Sequence, residues 1–271
     1  MLLVLDVGNT NTVLGVYDGK NLIAHWRLTT ALQRTIDEWG ILCRNLFSLA
    51  GLESAAITDI AISSVVPPMD YTLHKMATNY FNIEPLFIDP TSNAGMPVLY
   101  QPPSDVGADR VVNGVAAYEL YGGPCIIVDF GTATTFDAVS EKGEYLGGVI
   151  CPGVTISAEA LFQKAARLPR VEIKRPERVI GTSTVMSMQS GLFWGYVGLV
   201  DGVLDRMRQE LGPNARIIAT GGLAGLIARG SKLIEIVDPN LTLEGMRIIY
   251  QRNRQESAAE PVKQRAGEEI P

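Results

Sequence analysis

Leu2-Leu3-Val4-Leu5-Asp6-Val7-Gly8-Asn9-Thr10-Asn11-Thr12 and Cys125-Ile126-Ile127-Val128-Asp129-Phe130-Gly131-Thr132-Ala133-Thr134-Thr135 share one plan. In each, a continuous aliphatic run ends in an aspartate, and a turn rich in glycine, hydroxyl and amide side chains follows. An offset of 129 − 6 = 123 superposes Asp, Gly and Thr at 6/129, 8/131 and 12/135. Both segments then reach a second glycine turn, Asp18-Gly19 or Lys142-Gly143, and resume as Leu22–Leu28 or Tyr145–Ile150. A short apolar run bounded by turn residues reads as a buried strand, so each segment predicts strand, tight turn and returning antiparallel strand. A repeat of more than a hundred residues is too long for a solenoid unit and predicts a duplicated domain. Chance is the competing explanation, because Asp-x-Gly turns are common.

Strand and helix patterns alternate around these two segments. Ile36–Ala50 has helical spacing, with Ile36, Trp39, Leu42, Cys43, Leu46 and Leu49 on one side. Asp59–Val66 reads as a strand stopped by Pro67-Pro68, Tyr71–Phe81 as a helix, and Pro85–Ile88 as a short strand. Pro90–Val106 carries four prolines and few aliphatics, which predicts a loop. Helices are expected at Asp109–Tyr121, Ser157–Leu168, Thr184–Leu211, Leu223–Ala228 and Leu243–Arg252, and strands at Arg216–Thr220 and Leu233–Val237. The expected division is a first domain over 1–118, a second over 119–253, and a polar, frayed tail over 254–271.

Bulk properties exclude several functions. The 271 residues carry a net charge of −6 and a pI near 5.1, which gives no global attraction to nucleic acid or anionic membranes. Hydrophobic residues at 46% and charged residues at 19% describe an ordinary folded protein. Three scattered cysteines and two histidines support neither a disulfide framework nor a zinc site, and imply a reducing, cytoplasmic setting. The first residues lack the basic region of a signal peptide. The apolar stretch Gly191–Val200 is interrupted by Asp201, well short of the roughly 20 residues a membrane span needs.

The turns carry the chemistry. An aspartate at a strand end can hold Mg²⁺ directly or through water, because that cation prefers carboxylate oxygen and retains waters. Gly8 lets backbone N–H groups approach phosphate oxygens, and Asn9, Thr10, Asn11 and Thr12 supply neutral donors. The second turn repeats these properties and is expected to face the first across a cleft holding a triphosphate. A hydrogen-bonded Asx turn is the bland alternative for either. Ala219-Thr220-Gly221-Gly222-Leu223-Ala224-Gly225, a glycine-rich strand-to-helix turn, fits neither the P-loop nor the dinucleotide fingerprint.

Taken in order, the three segments resemble the acetate kinase, sugar kinase, Hsp70 and actin superfamily. Within it, the chain resembles the type III pantothenate kinase family through Asp6–Thr12, Gly107-Ala108-Asp109-Arg110, Asp129–Thr135, Gly147-Gly148, Pro152-Gly153, Gly181-Thr182-Ser183-Thr184 and Thr220–Ala224. These motifs span positions 6 to 224. The resemblance implies an α/β fold of two ribonuclease-H-like domains related by duplication, each a central mixed sheet flanked by helices. It implies ATP-dependent phosphorylation of pantothenate to 4′-phosphopantothenate, the first step of coenzyme A biosynthesis. By the same resemblance, Asp6, Val7, Gly8, Asn9, Thr10, Asn11, Thr12, Val13 and Thr132 bind ATP; the Mg²⁺ expected at Asp6 comes from the carboxylate chemistry above. Asp129 then binds a monovalent cation, K⁺ or NH₄⁺; Tyr100, Gly107, Ala108, Asp109, Arg110 and Thr184 bind pantothenate; and Asp109 is the catalytic base.

Physical expectations stand beside these. Asp109 falls in the first turn of a helix, where the dipole lowers a carboxylate pKa; Arg110 could pair with a substrate carboxylate or the transferring phosphoryl group. The bland alternative for both is a charge pair capping that helix. Tyr100 by itself reads as packing, and Thr184 reads equally as a helix N-cap. Gly191, Gly195, Gly198 and Gly202 form one stripe on the long helix, for close packing within the subunit or, with Phe193, Trp194 and Tyr196, for a homodimer surface. The competing functions are a transcriptional regulator of this fold and another sugar or acetate kinase.

Overall fold

The computed structural model describes residues 1–259. Contacts divide them into two compact units, one made of Met1–Ala116 together with the chain from Thr242 on, the other of Ala117–Leu241.

The first unit is built on β1 (Leu2–Val7), β2 (Asn11–Asp18), β3 (Asn21–Thr29), β4 (Asp59–Ser64) and β5 (Leu86–Phe87), in the order β3-β2-β1-β4-β5. Strand β1 runs antiparallel to β2 and parallel to β4. Three helices follow in the chain: α1 (Ile36–Leu49), α2 (Pro67–Phe81) and α3 (Ala108–Tyr121). A capping box starts α1, with Thr35 Oγ1 accepting from Glu38 N at 3.3 Å and Thr35 N donating to Glu38 Oε2 at 2.7 Å. Trp39, Cys43 and Phe47, four apart on one helical face, bury completely against Leu3, Leu5 and Ile62 of the sheet. Pro67 and Pro68 do not merely stop β4. They form the first turn of α2, where a helix has no use for their missing N–H groups.

The second unit repeats the arrangement with β6 (Cys125–Phe130), β7 (Ala133–Val139), β8 (Tyr145–Pro152), β9 (Arg216–Gly221) and β10 (Ile236–Val237), in the order β8-β7-β6-β9-β10. Its first strand again runs antiparallel to the second and parallel to the fourth. Identical order and identical pairing sense support the duplication. Its helices are α4 (Val154–Lys164), α5 (Thr184–Leu211) and α6 (Ala224–Ile227). Helix α4 starts at Val154, ahead of the expected Ser157, and is over by Lys164. Phe193, Val197, Val200 and Leu204 of α5 close the core over Ile126, Val128 and Phe136.

The two hairpins differ by one residue. Val7 pairs with Thr12, leaving residues 8–11 in the first turn, whereas Phe130 pairs with Thr134, leaving 131–133 in the second. Asp6 thus sits opposite Val13 and Asp129 opposite Thr135. The structural counterpart of Thr12 is Thr134, one position before the residue that a constant offset selects, and both are fully buried.

Helix α7 (Leu241–Ala259) corrects the expected domain division. Sequence order placed it in the second domain, yet it packs on the first. A Cβ on Gly245 would lie 2.2 Å from Val112 O of α3, Leu243 reaches Gly15 of β2, and Tyr250 donates to Asp59 of β4. The segment 254–259, expected to fray, continues this helix, while 260–271 lies outside the described residues. Among the described residues no helix is long and apolar enough to cross a membrane.

Candidate active site

Strand β1 delivers Asp6 and Val7 to the first turn. Val7 is buried in the core, and Asp6 is half-buried at the strand end. The turn closes with Gly8 N donating to Asn11 O at 3.0 Å, and a Cβ on Gly8 would approach that same oxygen to 3.1 Å. Asn9 and Thr10 are exposed, and Val13 is half-buried in β2. Thr12 has a different task. Its buried hydroxyl lies 3.0 Å from Thr30 Oγ1, which donates to Gly8 O at 2.6 Å, while Thr30 N donates to Thr10 O at 3.0 Å. Thr30 therefore fastens the turn from the end of β3, and Thr12 stabilises the hairpin from inside rather than offering an outward donor. No local pattern marks Thr30, because its partners lie about 20 positions away. The exposed neutral donors beside a half-buried carboxylate fit a magnesium–nucleotide phosphate group.

A short chain of contacts joins this turn to Asp109. Val65 N donates to Val7 O at 3.0 Å, and Val65 Cγ1 lies 3.3 Å from where a Cβ on Gly107 would stand. That Cβ would also meet Asp109 Oδ1 at 2.6 Å, so glycine at 107 makes room for the carboxylate. Asp109 lies in the first turn of α3 and accepts from Arg110 N at 2.8 Å. Its pKa departs from expectation. Burial raises it, outweighing the Arg110 N–H and guanidinium charge that favour the anion. The helix start was visible in the sequence; the desolvation was not. Arg110 is itself buried, with Ala108 beside it in the interior.

In the second unit Asp129 is half-buried and Thr132 exposed. Gly221, at φ +90°, brings β9 so close that a Cβ there would lie 2.4 Å from Asp129 Oδ1. A carboxylate held against backbone at a strand end has the hard oxygen chemistry of an alkali-cation ligand. Register places Gly153 where Thr30 stands in the first unit, since Asn11 pairs with Thr29 and Ala133 with Pro152. Thr132 O comes within 2.0 Å of any Cβ at Gly153, so no threonine can stand there. The buried Thr134 hydroxyl accordingly has no hydrogen-bond partner among the described residues.

The remaining expected residues are dispersed. Tyr100 is half-exposed in the β5–α3 connection of the first unit, while Thr184 is exposed at the start of α5 in the second. Thr184 is not the N-cap: Ser183 is, accepting from Met186 N at 3.2 Å. Phe193 and Tyr196 turn inward, with Tyr196 Oη donating to Pro152 O or Gly153 O, each 3.1 Å away. They are not surface residues. The glycine stripe is: apart from the helix's own backbone, no described atom lies within 4 Å of an added Cβ at Gly191, Gly195 or Gly198. A shallow pocket lined by Arg175, Pro176, Glu177, Val179 and Trp194 contains none of the expected site residues.

Two five-stranded sheets of one strand order, each presenting an aspartate-tipped hairpin, are the arrangement of the actin-like ATPase fold. The fold is shared with the activator of 2-hydroxyisocaproyl-CoA dehydratase from Clostridium difficile with bound ADPNP, at TM-score 0.54 and 14% identity over 100% of this chain and 99% of that one. A model of the type III pantothenate kinase family matches residues 2–206. The type III pantothenate kinase of Koribacter versatilis is 61% identical, covering 94% of this chain and 96% of its own, and that of Anaeromyxobacter sp. strain Fw109-5 is 59% identical, covering 94% and 100%. The chain belongs to the type III pantothenate kinase family.

Proposed function

We propose that this protein transfers the γ-phosphate of ATP to the 4′-hydroxyl of pantothenate, the first step of coenzyme A biosynthesis. The observation that carries the reading is the Asp109 carboxyl, half-buried at the start of α3 and joined through Gly107 and Val65 to the phosphate-type turn after β1. A carboxylate whose pKa burial has raised is a better proton acceptor than an ordinary aspartate, and it accepts the hydroxyl proton as the new P–O bond forms and the bond from the γ-phosphorus to the departing ADP breaks. When bound, the nucleotide would supply the activated phosphoryl group and magnesium would neutralise part of its charge. Asp6 to Val13 and Thr132 contact the nucleotide, with Thr12 acting from inside, and Asp6 holds the magnesium. Tyr100, Gly107 to Arg110 and Thr184 contact pantothenate. Asp129 holds K⁺ or NH₄⁺.

A coupled ADP-release assay with and without pantothenate, in potassium and in sodium buffers, tests the whole reading. ADP release should require pantothenate; release driven by a sugar but not by pantothenate would replace it. Asp129→Ala should raise the KM for ATP and abolish the difference between the buffers. A potassium response that survives the substitution removes the cation from Asp129.

The protein is further proposed to act in the cytoplasm as a homodimer that uses the exposed glycine stripe of α5. Four glycines on one helical face allow a second backbone to approach closely, at a helix-propensity cost of about 0.5–1 kcal/mol each relative to alanine. Gly195→Glu should leave the subunit folded, because no described atom beyond the helix backbone lies within 4 Å of the added Cβ. Light scattering should then report the 29.3 kDa monomer mass in place of twice that value. An unchanged oligomer would move the interface elsewhere.

A further inference from the structure

Residues 88–107 join β5 to α3 with little regular structure beyond a 3-10 turn at Pro103–Asp105, and Tyr100 lies near their middle. The start of this connection is self-locked. Asp89 N donates to Asn93 Oδ1 at 2.7 Å, Thr91 N to Asp89 Oδ1 at 2.6 Å, and Asn93 Nδ2 to Phe87 O at 2.8 Å. Two adjacent residues of α7 then grip it from outside. Asn253 Nδ2 donates to Asn93 O at 2.9 Å, and Arg252 Nη1 donates to Gly95 O at 2.7 Å. Ala94, between the gripped carbonyls, is buried. Gly95 has φ +70°, and a Cβ there would stand 3.2 Å from Arg252 Cδ, so the arginine stem lies flat against the loop backbone. The helix doing the gripping is fixed in turn, through Gly245 on Val112 and Tyr250 on Asp59.

We propose that Arg252 and Asn253 are positioning residues for the acceptor substrate, presetting the path of the chain that carries Tyr100. The inference rests on the reading that Tyr100 contacts pantothenate. A loop already confined by two carbonyl anchors surrenders less conformational freedom when substrate binds, so the anchors lower the pantothenate KM without touching substrate. Both bonds use main-chain acceptors in the loop, so they fix its path whatever side chains the neighbouring positions carry.

The test uses the full-length protein, with KM for pantothenate, KM for ATP, kcat and amide hydrogen exchange of 90–106 measured for each variant. Asn253→Ala and Arg252→Ala should each raise the pantothenate KM by about threefold to tenfold, the loss expected for one hydrogen bond, and the double variant should multiply the two. The KM for ATP and kcat should stay near wild type, exchange at 93–100 should quicken, and Arg252→Lys, which keeps a donor, should recover part of the loss. An unchanged pantothenate KM overturns the proposal, and so does a parallel rise in both KM values, the mark of general loosening. Tyr100→Ala separates the two levels. If it leaves the pantothenate KM unaltered, the substrate reading of the loop fails; if it raises that KM while the α7 variants do not, only the positioning role fails.

Discussion

Asp109→Asn lowers kcat by about 10²- to 10⁴-fold, the contribution of a positioned general base, while the melting temperature holds or rises. Asparagine keeps an oxygen that can accept from Arg110 N, so the start of α3 retains its hydrogen bond. It removes a charge that burial disfavours. The sign follows from the raised pKa: the carboxyl's contribution to stability is complete below its unfolded value of about 3.9 and is lost as pH rises through the higher native value. At neutral pH the wild type therefore bears a cost that the variant lacks. Activity runs the opposite way, because the base must be ionised. The wild-type acid limb of kcat/KM should lie above the ordinary aspartate range and vanish in the variant. A near-normal rate for Asp109→Asn, or an acid limb that persists in it, would show that another group takes the proton.

Gly153→Ala should cost about 1–3 kcal/mol of stability or more, as overpacking does, and raise the KM for ATP more than that for pantothenate. Backbone strain has no share in this, since Gly153 has φ −72°. The added methyl would stand 2.0 Å from Thr132 O and 2.8 Å from Thr132 C, main-chain atoms that move only by carrying the second turn with them. Urea unfolding and ATP titration read the two effects. Gly225→Ala is the control: its methyl, at an exposed position of α6, meets open space, and helix propensity alone should make it neutral or slightly stabilising. If Gly153→Ala behaved like that control, the close contact with Thr132 would be wrong.

The strands β1 and β6 and the helix α5 were legible because each is announced by a long apolar pattern with a turn or cap beside it. The duplicated Asp-x-Gly turns marked the fold from two short stretches. What escaped the sequence depends on distant partners. The one-residue difference between hairpins is a matter of cross-strand pairing, so a constant offset matched Thr12 to Thr135 when Thr134 is its counterpart. Pro67-Pro68 can end one element or begin the next, and only the path of the chain decides. The stripe on α5 was visible, but its phase against the core was not, so Phe193 and Tyr196 were assigned to the wrong side. The burial that raises the Asp109 pKa belongs to the folded chain, and no rule about helix starts contains it.

The home of α7 bears on how the protein matures during synthesis. Residues 117–241 are contiguous, so that half can assemble as soon as it has left the ribosome. The half translated earlier must wait, because Val112 and Gly15 lack their covering surface until Leu243 and Gly245 have been made. A nascent chain stalled before residue 241 should therefore hold its later-made half protected from protease and its earlier-made half open to cleavage, the reverse of the order of translation.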